Sequence, residues 1–178
     1  MRAFRLFTSL VALTCIASCA TSRYVVPAPN PDGLAPAALN LRFILRQGCL
    51  PLVRGQKTET EAMRGVGLIL RDGAFSFPGP NAPPSWVGNY LGINYVDAGR
   101  SQCAIVLTDV NLADVRRVVD VVVGATPEQT HVSDKYKPKI PEIYEGCVHN
   151  VAYSYNVDPP SPLSPRQFEV HLHRASCP

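Results

Sequence analysis

The chain has no block of one charge. Its 178 residues carry 17 Lys and Arg against 14 Asp and Glu. No run gathers the basic ones, so there is no electrostatic footprint for a nucleic-acid backbone. Long apolar runs are missing too: nothing after residue 18 approaches the roughly 20 apolar residues of a membrane-spanning helix. No two cysteines stand in Cys-x-x-Cys spacing, which leaves out a zinc ribbon and a thioredoxin-type redox pair. Gly-x-Ser-x-Gly, Ser-x-x-Lys, His-Glu-x-x-His and a glycine-rich phosphate loop are all absent. A dispersed Ser/His/carboxylate set leaves no spacing signature, since such sets are defined by geometry.

What is present begins at the amino terminus. Met1-Arg2-Ala3-Phe4-Arg5 is a short basic stretch, Leu6 to Ile16 is apolar, and Ala17-Ser18 are small residues before Cys19. These are the three zones of a secretory signal over residues 1–18, and the apolar zone is too short to span a bilayer. Ile16-Ala17-Ser18-Cys19 resembles the lipobox of bacterial lipoproteins. The resemblance covers the first 19 residues and implies cleavage after Ser18, a diacylglycerol on the Cys19 thiol and an acyl group on its new amine. Ala20 stands where aspartate would imply inner-membrane retention. The resemblance therefore implies a lipid anchor at the outer membrane, with the chain facing the periplasm or the cell surface. Each buried methylene contributes about 0.8 kcal/mol, so two or three long acyl chains hold a protein far more firmly than one.

Loss of residues 1–18 removes Arg2 and Arg5 and no acid, so the remaining chain is close to neutral. With 46% apolar and 17% charged residues it can build a core. Cys49, Cys103, Cys147 and Cys177 follow Cys19. An even number in an exported chain reads as two disulfides with three possible connectivities. Cys147–Cys177 with Cys49–Cys103 is favoured, because the first pair closes the last two strands. The chain-entropy model gives the two loops roughly 3.5 and 4 kcal/mol.

Residues 19–36 hold four prolines and little to pack, and read as the lipidated cysteine and an extended tether. Residues 37–178 read as one globular domain. Pro36 suits a first helical turn, and Ala37 to Gln47 continues it with Leu41, Ile44 and Leu45 on one side and Arg42 and Arg46 on the other. Gly48 is the expected stop. Thr58-Glu59-Thr60-Glu61 fits a capping box, a role that outweighs a paired-carboxylate site. Leu68-Ile69-Leu70 is a brief apolar run closed by the turn signal Arg71-Asp72-Gly73, Phe75-Ser76-Phe77 reads as a strand edge, and residues 78–84 as a prolyl loop. Trp86 after it reads as a core lid or a ligand platform.

Residues 90–108 form the clearest hairpin, with Asp97 to Ser101 as a five-residue turn and a second strand covered on both faces. From Asn111 to Val123 the β-propensity is high but Leu112, Val115, Val118, Val119 and Val122 recur at helical spacing, so a helix is expected, capped by Asn111 and ended by Gly124. Residues 125–145 read as a long surface loop. Cys147 to Val157 reads as one strand with Val151, Tyr153, Tyr155 and Val157 on one face, and Gln167 to Arg174 as another with Phe168, Val170 and Leu172 inward. Asp158 to Pro165 connects them. Matching those faces pairs residue numbers with an odd sum, Tyr153 opposite Val170 for example. Cys147 opposite Cys177 needs an even sum, which a bulge or an irregular end would reconcile.

The expected fold is thus α+β: two to three helices on a mainly antiparallel sheet, closed by disulfides. His171 and His173 share a polar strand face and are the candidates for a metal pair, with solvated side chains as the competing role. His149, assigned to the other strand's apolar face, points away from them. No cofactor and no catalytic residue is assigned. The leading expectation is a non-enzymatic envelope module that binds another envelope protein through a sheet edge, its prolyl loops, or Tyr153 and Tyr155 if they face outward. The alternative is a periplasmic hydrolase acting on cell-wall or lipid material, using His149 or His171 with a nearby carboxylate. A histidine and carboxylate in contact within a deep pocket favours the second. An exposed aromatic patch favours the first.

Overall fold

Pro36 opens the first helix, where its fixed φ fits and its missing N–H would have had no partner. In the computed structural model, which describes residues 30, 32–71, 85–133, 142–158 and 166–177, helix α1 covers Pro36–Ile44. Gly48 does not end it. The helix widens into a π-helical turn, Leu45–Cys49, and continues as α2, Leu50–Val53. Pro51 accounts for the widening. It cannot donate to the Gln47 carbonyl four residues back, and its ring crowds that carbonyl in a regular helix. Lys57 Nζ donates to Gln47 O at 3.2 Å instead. The rod stops at Gly55, whose φ of +73° marks a left-handed end.

The second helical expectation holds in detail. Thr58 and Glu61 exchange a capping box at the start of α3, Glu59–Gly65. Glu59 accepts a hydrogen bond from Trp86 Nε1 at 2.9 Å, and Trp86 is 2% exposed, so it is a core residue. Helix α4, Leu112–Val123, is capped by Asn111 and ended by Gly124 at φ +81°. Period outranks propensity there because Val115, Val118, Val119 and Val123 bury one continuous stripe.

The strands are β1 (Ile69–Arg71), β2 (Ser85–Val87), β3 (Ile93–Ala98), β4 (Gln102–Leu107), β5 (His131–Val132), β6 (Ile143–Val148), β7 (Val151–Asp158) and β8 (Gln167–Arg174). They form one antiparallel sheet in the order β1-β2-β3-β4-β8-β7-β6-β5. The fold is α+β, with helices on one face. Ile105, Val170, Leu172, Tyr153 and Tyr155 join Leu41, Ile44, Val118 and Val119 in a single apolar cluster between the two layers. Gly92 lets the layers approach: a methyl there would overlap Ala37 of α1 and stand 2.7 Å from the Thr108 carbonyl.

Three strand expectations are corrected. Residues 125–145 are not a bare loop, since a 3₁₀ turn (Pro127–Gln129), β5 and the start of β6 lie within them. Cys147 to Val157 is not one strand. The chain reverses at His149 and Asn150, both with positive φ (51° and 62°), the two-residue turn that suits the twist of a hairpin. The β3–β4 turn is shorter than five residues, with Gly99 N–H bonded to Gln102 O at 2.9 Å. The β7–β8 pairing has the expected odd parity but is shifted, Tyr153 lying opposite Leu172.

Both favoured disulfides are present. Cys49–Cys103 ties the helical rod to β4, and Cys147–Cys177 ties β6 to the residues after β8. The parity conflict dissolves because Cys147 belongs to β6, a strand apart from β7. The domain also begins earlier than residue 37: Leu34 is buried, Asp32 pairs with Arg42 at 2.7 Å, and Arg117 donates to the Asp32 carbonyl at 2.9 Å. Residues 1–18, Cys19, tether residues 20–29, Phe75 and Phe77, loop 78–84 and connection 159–165 lie outside the described residues. Among the described residues no helix is long and apolar enough to cross a membrane.

Candidate functional site

Alternation along a strand sends every second side chain to the face away from the helices. On β8 that face carries Gln167, Glu169, His171 and His173, because Phe168, Val170 and Leu172 go to the core. Antiparallel register then stacks neighbours into rows. In one row His131 (β5) faces Glu145 (β6), which faces Ser154 (β7), which faces His171 (β8), which faces Ala104 (β4). The adjacent row runs Ile143, Asn156, Glu169, Val106, and the row on the other side runs Cys147, Ala152, His173, Gln102.

Residues of β5 to β8 on this face line a groove of about 850 Å³. The outer face of β4 is only partly covered: Gln102 is exposed and Ala104 half-buried, though Val106 is buried. Two His–Glu pairs define the groove's electrostatics. His171 Nε2 lies 3.3 Å from Glu169 Oε2 and His131 Nε2 lies 3.5 Å from Glu145 Oε1. The hydrogen bond from His171 is the main reason the Glu169 carboxyl is held below its ordinary value; burial works against it and Asn156 adds to it. Among the described residues lining the groove there is no Lys or Arg.

Beneath the β6–β7 end of the groove lies a polar network. Thr130 Oγ1 donates to Asp120 Oδ1 at 3.1 Å and is bonded to the Tyr153 hydroxyl at 2.7 Å. Burial raises the Asp120 carboxyl despite Thr130 and Arg116. Burial also pushes the Tyr155 hydroxyl up, and Tyr144 stacks on its ring at 5.2 Å. Tyr153 and Tyr155 are 1% and 0% exposed, so neither is an outward binding residue.

His171 and His173 do share one face with Glu169, as expected. Among the described residues, however, no three His, Cys, Asp or Glu side chains stand close enough to hold an ion together. His149 is not on an apolar strand face; it is exposed in the β6–β7 turn and does not line the groove. Glu145 and His131 escape sequence reasoning because they fall within residues 125–145. No period-two pattern marks them, since apolar Ile143 and charged Glu145 share one face of β6.

His171 held by Glu169 and facing Ser154 has the residue types of a nucleophile and its base. The surroundings lack the other half of such chemistry. β7 and β8 are interior strands whose N–H groups are spent in the sheet ladders, so among the described residues these two strands offer no free backbone pair to a developing oxyanion. What the face offers is a row of polar and charged side chains over a floor of small ones. Comparison with protein-family models, curated proteins and solved structures finds no match to this chain.

Proposed function

We propose that the chain is a lipid-anchored protein of the bacterial envelope, held at the outer membrane through Cys19, whose domain binds another envelope protein with the face of its sheet opposite the described helices. The carrying observation is the polar groove on that face, backed by a closed core on the other. The lipobox-like residues 16–19 support the anchor, and two disulfides support an oxidising compartment. Cys19→Ala should abolish labelling by a fatty-acid analogue and release the protein from membranes; retained labelling removes the anchor.

The face is tested by affinity purification of the full-length protein in mild detergent with quantitative mass spectrometry. Ser154→Arg, which fills the groove, should lose the co-purifying partner, whereas Val121→Arg on the exposed side of α4 should keep it. Loss from Val121→Arg alone overturns the assignment of the face.

The contact between His171 and Glu169 opposite Ser154 favours a second reading, a periplasmic hydrolase acting on cell-wall or lipid material. In that case Ser154→Ala and His171→Gln would each abolish turnover of a chromogenic ester or glycan by the purified protein while leaving its melting temperature in place.

A further inference from the structure

Resting on that reading of the groove, we propose that its occupant is an extended segment of a partner protein presenting two Lys or Arg side chains four positions apart. Charge sets the sign. The formally charged groups lining the groove among the described residues, histidines aside, are Glu145 and Glu169, and each already holds an imidazole N–H group in reach. Ligand ammonium or guanidinium groups complement these carboxylates, whereas a phosphate or carboxylate ligand would meet like charge with imidazoles alone to offset it.

Spacing sets the form. Glu145 is two strands from Glu169 and one two-residue step along the sheet. With strands about 4.8 Å apart and about 3.4 Å per residue, the Cα atoms of the two glutamates sit roughly 12 Å apart. A single small cation reaches one of them. An extended chain covers about 14 Å in four residues and returns its side chains to the same face at that step, so basic side chains four positions apart reach both. Between them β7 sets the small side chains of Ser154 and Ala152 on this face, which leaves room for a bound main chain.

The experiment uses the full-length protein in neutral detergent and calorimetric titration with the capped peptide Ser-Lys-Ser-Gly-Ser-Lys-Ser, its norleucine counterpart and spermidine. The lysine peptide should bind, weaken as NaCl is raised, and lose about three- to fivefold in affinity in each of Glu145→Gln and Glu169→Gln, more in the double variant. Glu145→Gln alone decides the matter if Glu169→Gln lowers the melting temperature. Equal binding of the norleucine peptide, no binding of the lysine peptide, or no effect of the Gln variants overturns the proposal. Spermidine binding as tightly as the peptide overturns its polypeptide part. If Ser154→Arg still loses the co-purifying partner while the lysine peptide does not bind, the groove remains the binding face and only its cation preference falls.

Discussion

Replacing Gly146 with alanine should destabilise the fold although alanine is the better strand residue. Gly146 sits on β6 opposite Tyr153, and the Tyr153 ring lies across it. A methyl group there would overlap the Tyr153 hydroxyl, come within 2.5 Å of its Cζ, and stand 2.6 Å from the Gln129 carbonyl oxygen. The ring cannot swing aside freely, because its hydroxyl is bonded to Thr130, which is bonded to Asp120. Overpacking of this kind costs about 1–3 kcal/mol, and loss of the tyrosine hydrogen bond adds about 1 kcal/mol. The gain from removing glycine's chain entropy is only about 0.5–1 kcal/mol, so the clash wins by roughly 1–3 kcal/mol. At about 3–5 °C per kcal/mol for a domain of this size, the melting temperature should fall by roughly 3–15 °C, read by circular dichroism with disulfides intact. Because Tyr153→Phe removes one of the overlapping atoms, the double variant should lose less than the sum of the single losses. An unchanged or raised melting temperature for Gly146→Ala would refute the packing described for β5 to β7.

Other outcomes follow from the same structure. Double replacement of Cys49 and Cys103 by serine should cost about 4 kcal/mol and of Cys147 and Cys177 slightly less, from loops spanning 54 and 30 residues; urea unfolding measures both, and a larger loss from the second pair would contradict the loop argument. Glu169 has a lowered carboxyl pKa in the fold, so its contribution is complete above the ordinary value of 4.5 and is lost as pH falls through the lowered one. The stability gap between the protein and Glu169→Gln should therefore shrink on acidification below about pH 4.5; a gap that widens there would contradict the pairing with His171.

Local signals were readable wherever one turn of chain decided the matter. Thr58 with Glu61, and Asn111 with Gly124, mark helix ends through hydrogen bonds within a few residues. The parity of β7 on β8 was also legible, because alternation is a property of each strand alone, and both disulfides were legible from the even cysteine count and the closure of the last strands. Gly48 misled because the helix end depends on what Pro51, three residues later, does to the hydrogen-bond ladder. His149-Asn150 was missed as a turn because it contains no glycine, and with it went the separate identity of β6. The site was half visible: Glu169, His171 and His173 alternate plainly, but Glu145 and His131 join them only through pairings between strands distant in sequence.

The most direct test of the groove as the working surface is photo-crosslinking in living cells, with one photoreactive residue replacing Ser154 and, separately, Val121. Ser154 lies in the groove and Val121 is 70% exposed on α4, so solvent reaches both positions while they belong to different faces. A discrete crosslinked species from the Ser154 position, absent from Val121 and lost when Glu145 and Glu169 are both glutamine, is the predicted result. The same species from Val121, with none from Ser154, would contradict it.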